Sequence, residues 1–166
     1  MTGDIGLPDG VRIDMQWTSF VDKRVRLCVP KHLRRRRGRQ GYLFEGTRSD
    51  SPPRSLETLL VEVGLDEDSR DALRACILGG LTTPPDEHVR EEVLRCGRSD
   101  VRECAVESVI LMHHLKTGET DYKWDVLFSI GECSVCISVF ATAADFRSDE
   151  ECWKRVIQSI QLASVR

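Results

Sequence analysis

Between Asp121 and Ile130 the apolar residues Tyr122, Trp124, Val126, Phe128 and Ile130 alternate with Asp121, Lys123, Asp125 and Ser129, and only Leu127 breaks the rule. Successive side chains leave a pleated strand on opposite faces, so this pattern predicts a half-buried strand. Cys133 to Thr142 reads as a second strand beside it, and Ser148 to Ala163 as one amphipathic helix. Ser148 with Glu151 three residues later has the spacing of a capping box, which places the helix start at Ser148. Asp149 and Glu150 add negative charge where the helix dipole favours it. Trp153, Val156, Ile157 and Ile160 then fall on one stripe, predicted to bury against Trp124, Val126 and Phe128.

The same reading extends towards the N-terminus. Val11, Ile13, Met15 and Trp17 alternate with polar residues as a strand with one wet face, and a turn is expected near Asp22-Lys23. Val25, Leu27 and Val29 form a second strand, stopped by Pro30, which cannot donate to a ladder. Residues from His32 to Gln40 read as an irregular connection, Tyr42 to Glu45 as a short strand, and Arg48 to Arg54, with Pro52-Pro53, as a surface loop. Leu59, Val61 and Val63 signal another strand. From Asp66 onward Ala72, Leu73, Cys76 and Ile77 share one helical face, and Gly79-Gly80 supplies the stop. Arg98 to Leu115 admits two readings. Asp100 and Glu103 could cap a helix, but Val109-Ile110-Leu111-Met112 is apolar on both faces, as in a covered central strand. The strand is the preferred reading, joined to the next by the Thr117-Gly118-Glu119 turn, and Val89 to Cys96 reads likewise.

Size and charge narrow the function classes without choosing one. A chain of 166 residues is expected to form one domain, burying about 70% of its unfolded surface without metals or disulfides. The formal net charge of −3 comes from nearly balanced acids and bases, so no whole-molecule affinity for nucleic acid or membrane is implied. No apolar run approaches the roughly 20 residues of a membrane span, and the first residues show no basic head followed by an apolar stretch. The seven scattered cysteines form an odd set and read as reduced thiols of a cytoplasmic protein.

Several strands, one helix, three or four mostly antiparallel strands and a terminal helix make an α+β order. It resembles the PsbP-like α/β/α sandwich, a superfamily that includes the photosystem II extrinsic protein, a Ran-binding nuclear-transport factor and bacterial DcrB-type domains. The resemblance is carried by the early strand ending Val29-Pro30, the meander from Glu103 to Thr142, and Trp153, Val156, Ile157, Ser159 and Ile160 in the closing helix. It covers most of the chain and implies a largely antiparallel sheet sandwiched by helices in a single domain over residues 1–166. Members are mainly binding, assembly or accessory proteins without a shared catalytic site, so the resemblance implies a protein partner and transfers no functional residue.

Candidate chemistry is sparse. Arg34, Arg35, Arg36, Arg37 and Arg39 form a basic loop at about 31–41, the pronounced local field on a balanced surface. Such a run can neutralise phosphates, bind an acidic partner or serve as a localisation signal, and the simplest reading is a solvated loop with no specific ligand. Gly38 and Gly41 do not make a phosphate loop, because the Lys-Ser/Thr pair and following helix are missing. Cys133 and Cys136 have a metal or redox spacing, but residues three apart on a strand face opposite ways, and no second ligand pair lies nearby. His113-His114 suggests acid/base work, again with opposite faces. A nucleophilic pair of Cys104 or Cys136 with either histidine is conceivable, yet no oxyanion-type motif marks it. Trp17, Trp124, Phe128 and Trp153 read as core. The expectation is therefore a non-catalytic accessory protein that recognises a protein partner through a sheet face or an edge loop, with no cofactor and no metal. The alternatives are a small His/Cys enzyme and a phosphate- or nucleic-acid-binding module.

Overall fold

Antiparallel pairing gathers seven strands into one sheet whose two faces are covered by different helices. The computed structural model describes residues 15–19, 25–36, 41–48, 55–79, 88–101, 104–130 and 133–162. In chain order these form β1 (Met15–Ser19), β2 (Val25–Pro30), β3 (Arg34–Arg36), β4 (Tyr42–Gly46), β5 (Glu57–Val63), α1 (Glu67–Gly79), β6 (His88–Val101), β7 (Cys104–Leu115), β8 (Thr120–Ile130), β9 (Cys133–Thr142), α2 (Ala143–Gln158) and β10 (Gln161–Leu162). The large sheet has the order β3-β4-β5-β9-β8-β7-β6, and a small one has the order β1-β2-β10. The described residues form one α+β domain. Val11, Ile13, the Asp22-Lys23 turn and the loop after Arg48 lie outside the described residues.

Alternation decides which face each residue serves. Tyr122, Trp124, Val126 and Phe128 of β8 join Val106 and Ile110 of β7 and Val135, Ile137 and Val139 of β9 in the larger core. Phe146, Trp153, Val156 and Ile157 of α2, the following Ile160, and Val25, Leu27 and Val29 of β2 cover that face. The second face is smaller. There Val109, Leu111 and Leu127 pack with Leu65, Leu73 and Val93, so α1 supplies the cover. Leu127, the exception to the alternation in β8, is fully buried beneath it. Ala72 is exposed, contrary to its predicted place on the buried stripe of α1. Leu73 is half-buried against this face, and the side chains of Cys76 and Ile77 lie outside the described residues.

The Arg98–Leu115 ambiguity resolves as strand: β6 and β7 pair from His88↔Leu115 to Val101↔Cys104. The terminal helix begins five residues earlier than the capping-box reading. Its N-cap is Thr142, whose side chain accepts from the Asp145 N–H, whereas Ser148 Oγ donates to the Ala144 carbonyl inside the helix. β9 runs directly into α2, so no loop separates them. At the other end Ser159 Oγ donates to the Val156 carbonyl (2.6 Å) and accepts from the Cys28 N–H (2.9 Å). One hydroxyl thus ties the end of α2 to β2, and β10 continues the tie by pairing with Arg26 and Val25.

Candidate functional site

Arg34, Arg35 and Arg36 stand in a strand, not in the loop that the sequence predicts. β3 pairs with β4 through Arg34↔Glu45, Arg35↔Phe44 and Arg36↔Leu43. Successive arginines carry no hydrophobic alternation, so surroundings and not intrinsic pattern impose the extended backbone. The entry is fixed by Leu33, which is fully buried and donates its N–H to the Pro30 carbonyl (3.0 Å). The exit of β4 is fixed as tightly. Gly46 lies so close to the His32 carbonyl oxygen that any Cβ would collide with it. At the near end Gly41 has φ +70°, where a Cβ would sit 2.5 Å from the Val61 carbonyl oxygen. Glycine alone fits both positions.

The three arginines of β3 are exposed. The Arg35 guanidinium lies 4.5 Å from the centre of the Tyr42 ring, a cation–π stack that holds it upright. Arg36 Nε is 3.9 Å from Glu45 Oε2, with its side chain still 62% exposed. Among the described residues, Glu45 is the acid that meets this strand, on the face of Arg34 and Arg36, while Arg35 projects from the other face. β3 is also, among the described residues, the terminal strand of the large sheet. Arg37 and Arg39 lie outside the described residues.

The other candidates are not brought together. His113 pairs in register with Asp121 and His114 with Thr120, so the two imidazoles occupy opposite faces of β7. His113 is buried, and His114 Nε2 meets Glu92 Oε2 at 3.6 Å. Cys104 opens β7, nine residues before His113, which at strand spacing is about 30 Å away. Cys136 lies on β9 opposite Leu127, six residues from the Thr142 that pairs beside Asp121. Neither thiol reaches either histidine. Burial pushes the Cys136 thiol up to about 12, so it stays protonated and is no nucleophile. The ladder of β9 is continuous from Cys133 onward, leaving no turn between the two cysteines. Among the described residues, no group of His, Cys, Asp and Glu side chains is placed to hold a metal ion.

Sequence reading missed a buried charged cluster at the end of the sheet that carries the arginine strand. Glu57, fully buried at the start of β5, pairs with Gly46 and accepts from His32 Nε2 at 3.2 Å. Asp149 on α2 is 3% exposed and forms an ion pair with Arg48, just beyond β4. One helical turn earlier, Asp145 accepts the Ser55 N–H at 2.9 Å. Cys152 completes the group. Burial, with Asp149 and Glu57 nearby, lifts its thiol to about 12, the reverse of what activates a thiolate. The cluster therefore fastens α2 to the β3–β4–β5 end of the sheet. One signal could have found it: Asp145 and Asp149 fall on the stripe of Phe146, Cys152, Trp153 and Val156, where a surface helix keeps apolar residues.

Burial, and then the Asp149 carboxylate, hold Glu57 above the ordinary carboxylate range, against the lowering contact of His32. A raised folded-state pKa means that Glu57 favours the fold below its unfolded value of about 4.5. That contribution is lost as pH rises through the higher folded value. Glu57→Gln removes the charge at nearly constant shape. The variant is therefore expected to gain stability relative to the wild type as pH rises from about 4 to 7. Urea midpoints across that range measure it, and parallel profiles would contradict a raised Glu57.

No family model matches the sequence, and no curated protein matches it. Solved structures do. LpqN of Mycobacterium tuberculosis, described as involved in cell envelope biogenesis, aligns with TM-score 0.64 at 12% identity over 93% of each chain. The cyanobacterial PsbP protein of Synechocystis aligns with TM-score 0.62 at 10% identity, over 96% of this chain and 99% of that one. The Ran-binding protein Mog1p of Saccharomyces cerevisiae aligns with TM-score 0.61 at 10% identity, covering 92% and 97%. Identities this low establish shared architecture and nothing of shared ligands. In architecture, the chain is a PsbP-like α/β/α sandwich.

Proposed function

We propose that this chain is a non-catalytic accessory protein that binds a protein partner through the arginine edge of its sheet. One observation carries the reading: a preformed terminal strand displays Arg34, Arg35 and Arg36 on a molecule whose formal net charge is −3. Arg37 and Arg39 continue the basic run in sequence. Guanidinium groups are the side chains best suited to hold carboxylates in two-point contacts. A solved relative described as Ran-binding supports a protein partner for this fold. Charge, and not an apolar patch, would supply recognition. Among the described residues, the exposed large hydrophobics are Leu56, before β5, and Leu94, on β6.

A nucleic-acid role is less well supported, because Glu45 on the neighbouring β4 faces the basic edge and such a module needs cations continued across a face. A cytoplasmic setting accords with the free thiols of Cys28, Cys136 and Cys152. No helix among the described residues is long and apolar enough to cross a membrane.

The test is affinity capture from the source cell, with the wild type compared against a variant carrying Arg34, Arg35, Arg36 and Arg37 replaced by Ser. The variant is expected to stay within about 0.5 kcal/mol of wild-type stability, as exposed substitutions usually do, and to lose the partner. Wild-type capture should weaken as salt rises, because exposed charges are screened over about 8–10 Å at ordinary ionic strength. A folded variant that keeps every partner at low and high salt would leave the arginines a merely solvated edge.

A further inference from the structure

We propose that β3 is a docking rail for an extended acidic segment, which adds beside it as a further strand and sets its carboxylates on Arg34, Arg35 and Arg36. This rests on the reading of the arginine edge as the partner site and specifies the chemistry and geometry of what binds there.

Register defines the ligand. Arg34 and Arg36 share a face with Glu45 and Leu43, while Arg35 shares the opposite face with Phe44. The guanidinium groups therefore project alternately above and below the sheet. A strand laid alongside also sends its successive side chains to alternate faces. Only consecutive acidic residues, not acids spaced two apart, would meet all three arginines. Backbone pairing would supply affinity and the carboxylates would supply choice, as in other cases of strand addition at a sheet edge.

The rail is preformed. Leu33 fixes its beginning, the Gly46 contact with His32 fixes its neighbour, and the Tyr42 ring supports Arg35. Little ordering is then left for binding to accomplish. The same charges select against the simplest wrong occupant. A second copy pairing edge to edge would place arginine against arginine, and charged residues on an edge strand are a known guard against such pairing. An acidic strand is the occupant that this guard admits.

The experiment uses the full chain and a fluorescein-labelled peptide with a Val-Glu-Glu-Glu-Thr-Val core. Three comparisons accompany it: the same peptide with Gln for Glu, the same peptide N-methylated at alternate residues to block strand pairing, and an oligothymidylate of similar charge. The acidic peptide is expected to bind at low salt and to slow amide exchange at Arg34–Arg36. Replacing those arginines by Ser should weaken it by about tenfold or more, a loss of roughly 1.4 kcal/mol. The Gln and N-methylated peptides should lose at least as much. Unfolding curves confirm that the Ser variant is folded. If the N-methylated peptide binds as well as the parent, strand addition is wrong while the arginine edge survives as the partner site. If peptide binding ignores the Ser substitutions, the rail is wrong, and the capture comparison above decides separately whether the edge binds a partner at all. Tighter binding of the oligothymidylate than of the acidic peptide would overturn the proposal in favour of phosphate recognition.

Discussion

Trp153→Ala lowers the unfolding free energy by about 3–5 kcal/mol, the range seen when a large aromatic is removed from a packed interior. Trp153 is fully buried on α2 and joins the cluster formed by β2, β8, β9 and Ile160. It therefore sits between the small sheet and the large one, and its removal leaves a cavity in the core that joins them. One factor pulls towards the lower end. The indole Nε1 is buried without a hydrogen-bond partner among the described residues, so truncation also removes an existing cost of burying a polar group. Ile160→Ala is expected to cost about 2–5 kcal/mol by the same reasoning. Urea titration at constant slope is the measurement. A Trp153→Ala midpoint equal to that of the wild type would mean that α2 does not hold the two sheets together.

Much of this architecture was legible because burial writes itself into period. The β8 alternation identified the face of the larger core, and its exception, Leu127, marks where α1 covers the other face. The doubly apolar run Val109–Met112 had the same cause. Ile110 belongs to one core and Val109 and Leu111 to the other, which a helix reading could not explain. Where side chains do not alternate, the backbone is silent. β3 is a strand because Leu33, Gly46 and β4 make it one, and nothing in Arg34-Arg35-Arg36 announces that. Ser148 and Glu151 matched a capping pattern, yet the start of α2 is decided by β9 ending at Thr142. The arginines stood out in the sequence as charge, whereas their setting on a terminal strand depends on long-range pairing. The buried cluster was hidden for a different reason. His32, Arg48, Glu57 and Asp149 are charged or titratable residues of the kind usually assigned to the surface, and they meet across sequence separations of 25 and 101 residues.

Asp149→Ala is expected to destabilise the protein by about 3–5 kcal/mol, the usual consequence of deleting one member of a buried ion pair. The carboxylate is 3% and the Arg48 side chain 14% exposed, so water cannot readily replace the lost partner. The cost combines the attraction lost with the burial of a guanidinium that no longer has this carboxylate. Glu57 moderates the loss, because Asp149 raises its pKa by repulsion while Arg48 lowers it. Once Asp149 is gone, Arg48 has a second carboxylate within electrostatic reach, which moves the expected value towards the lower end of that range. The double variant Asp149→Ala, Arg48→Met separates the two contributions. Removing both charges together should cost less than Asp149→Ala alone, since an apolar pair of similar volume often replaces a buried ion pair at little loss. Urea midpoints of the two single variants and the double variant complete the cycle. Additive losses would show that Asp149 and Arg48 act independently, and the cluster would then not be the fastening between α2 and the arginine edge.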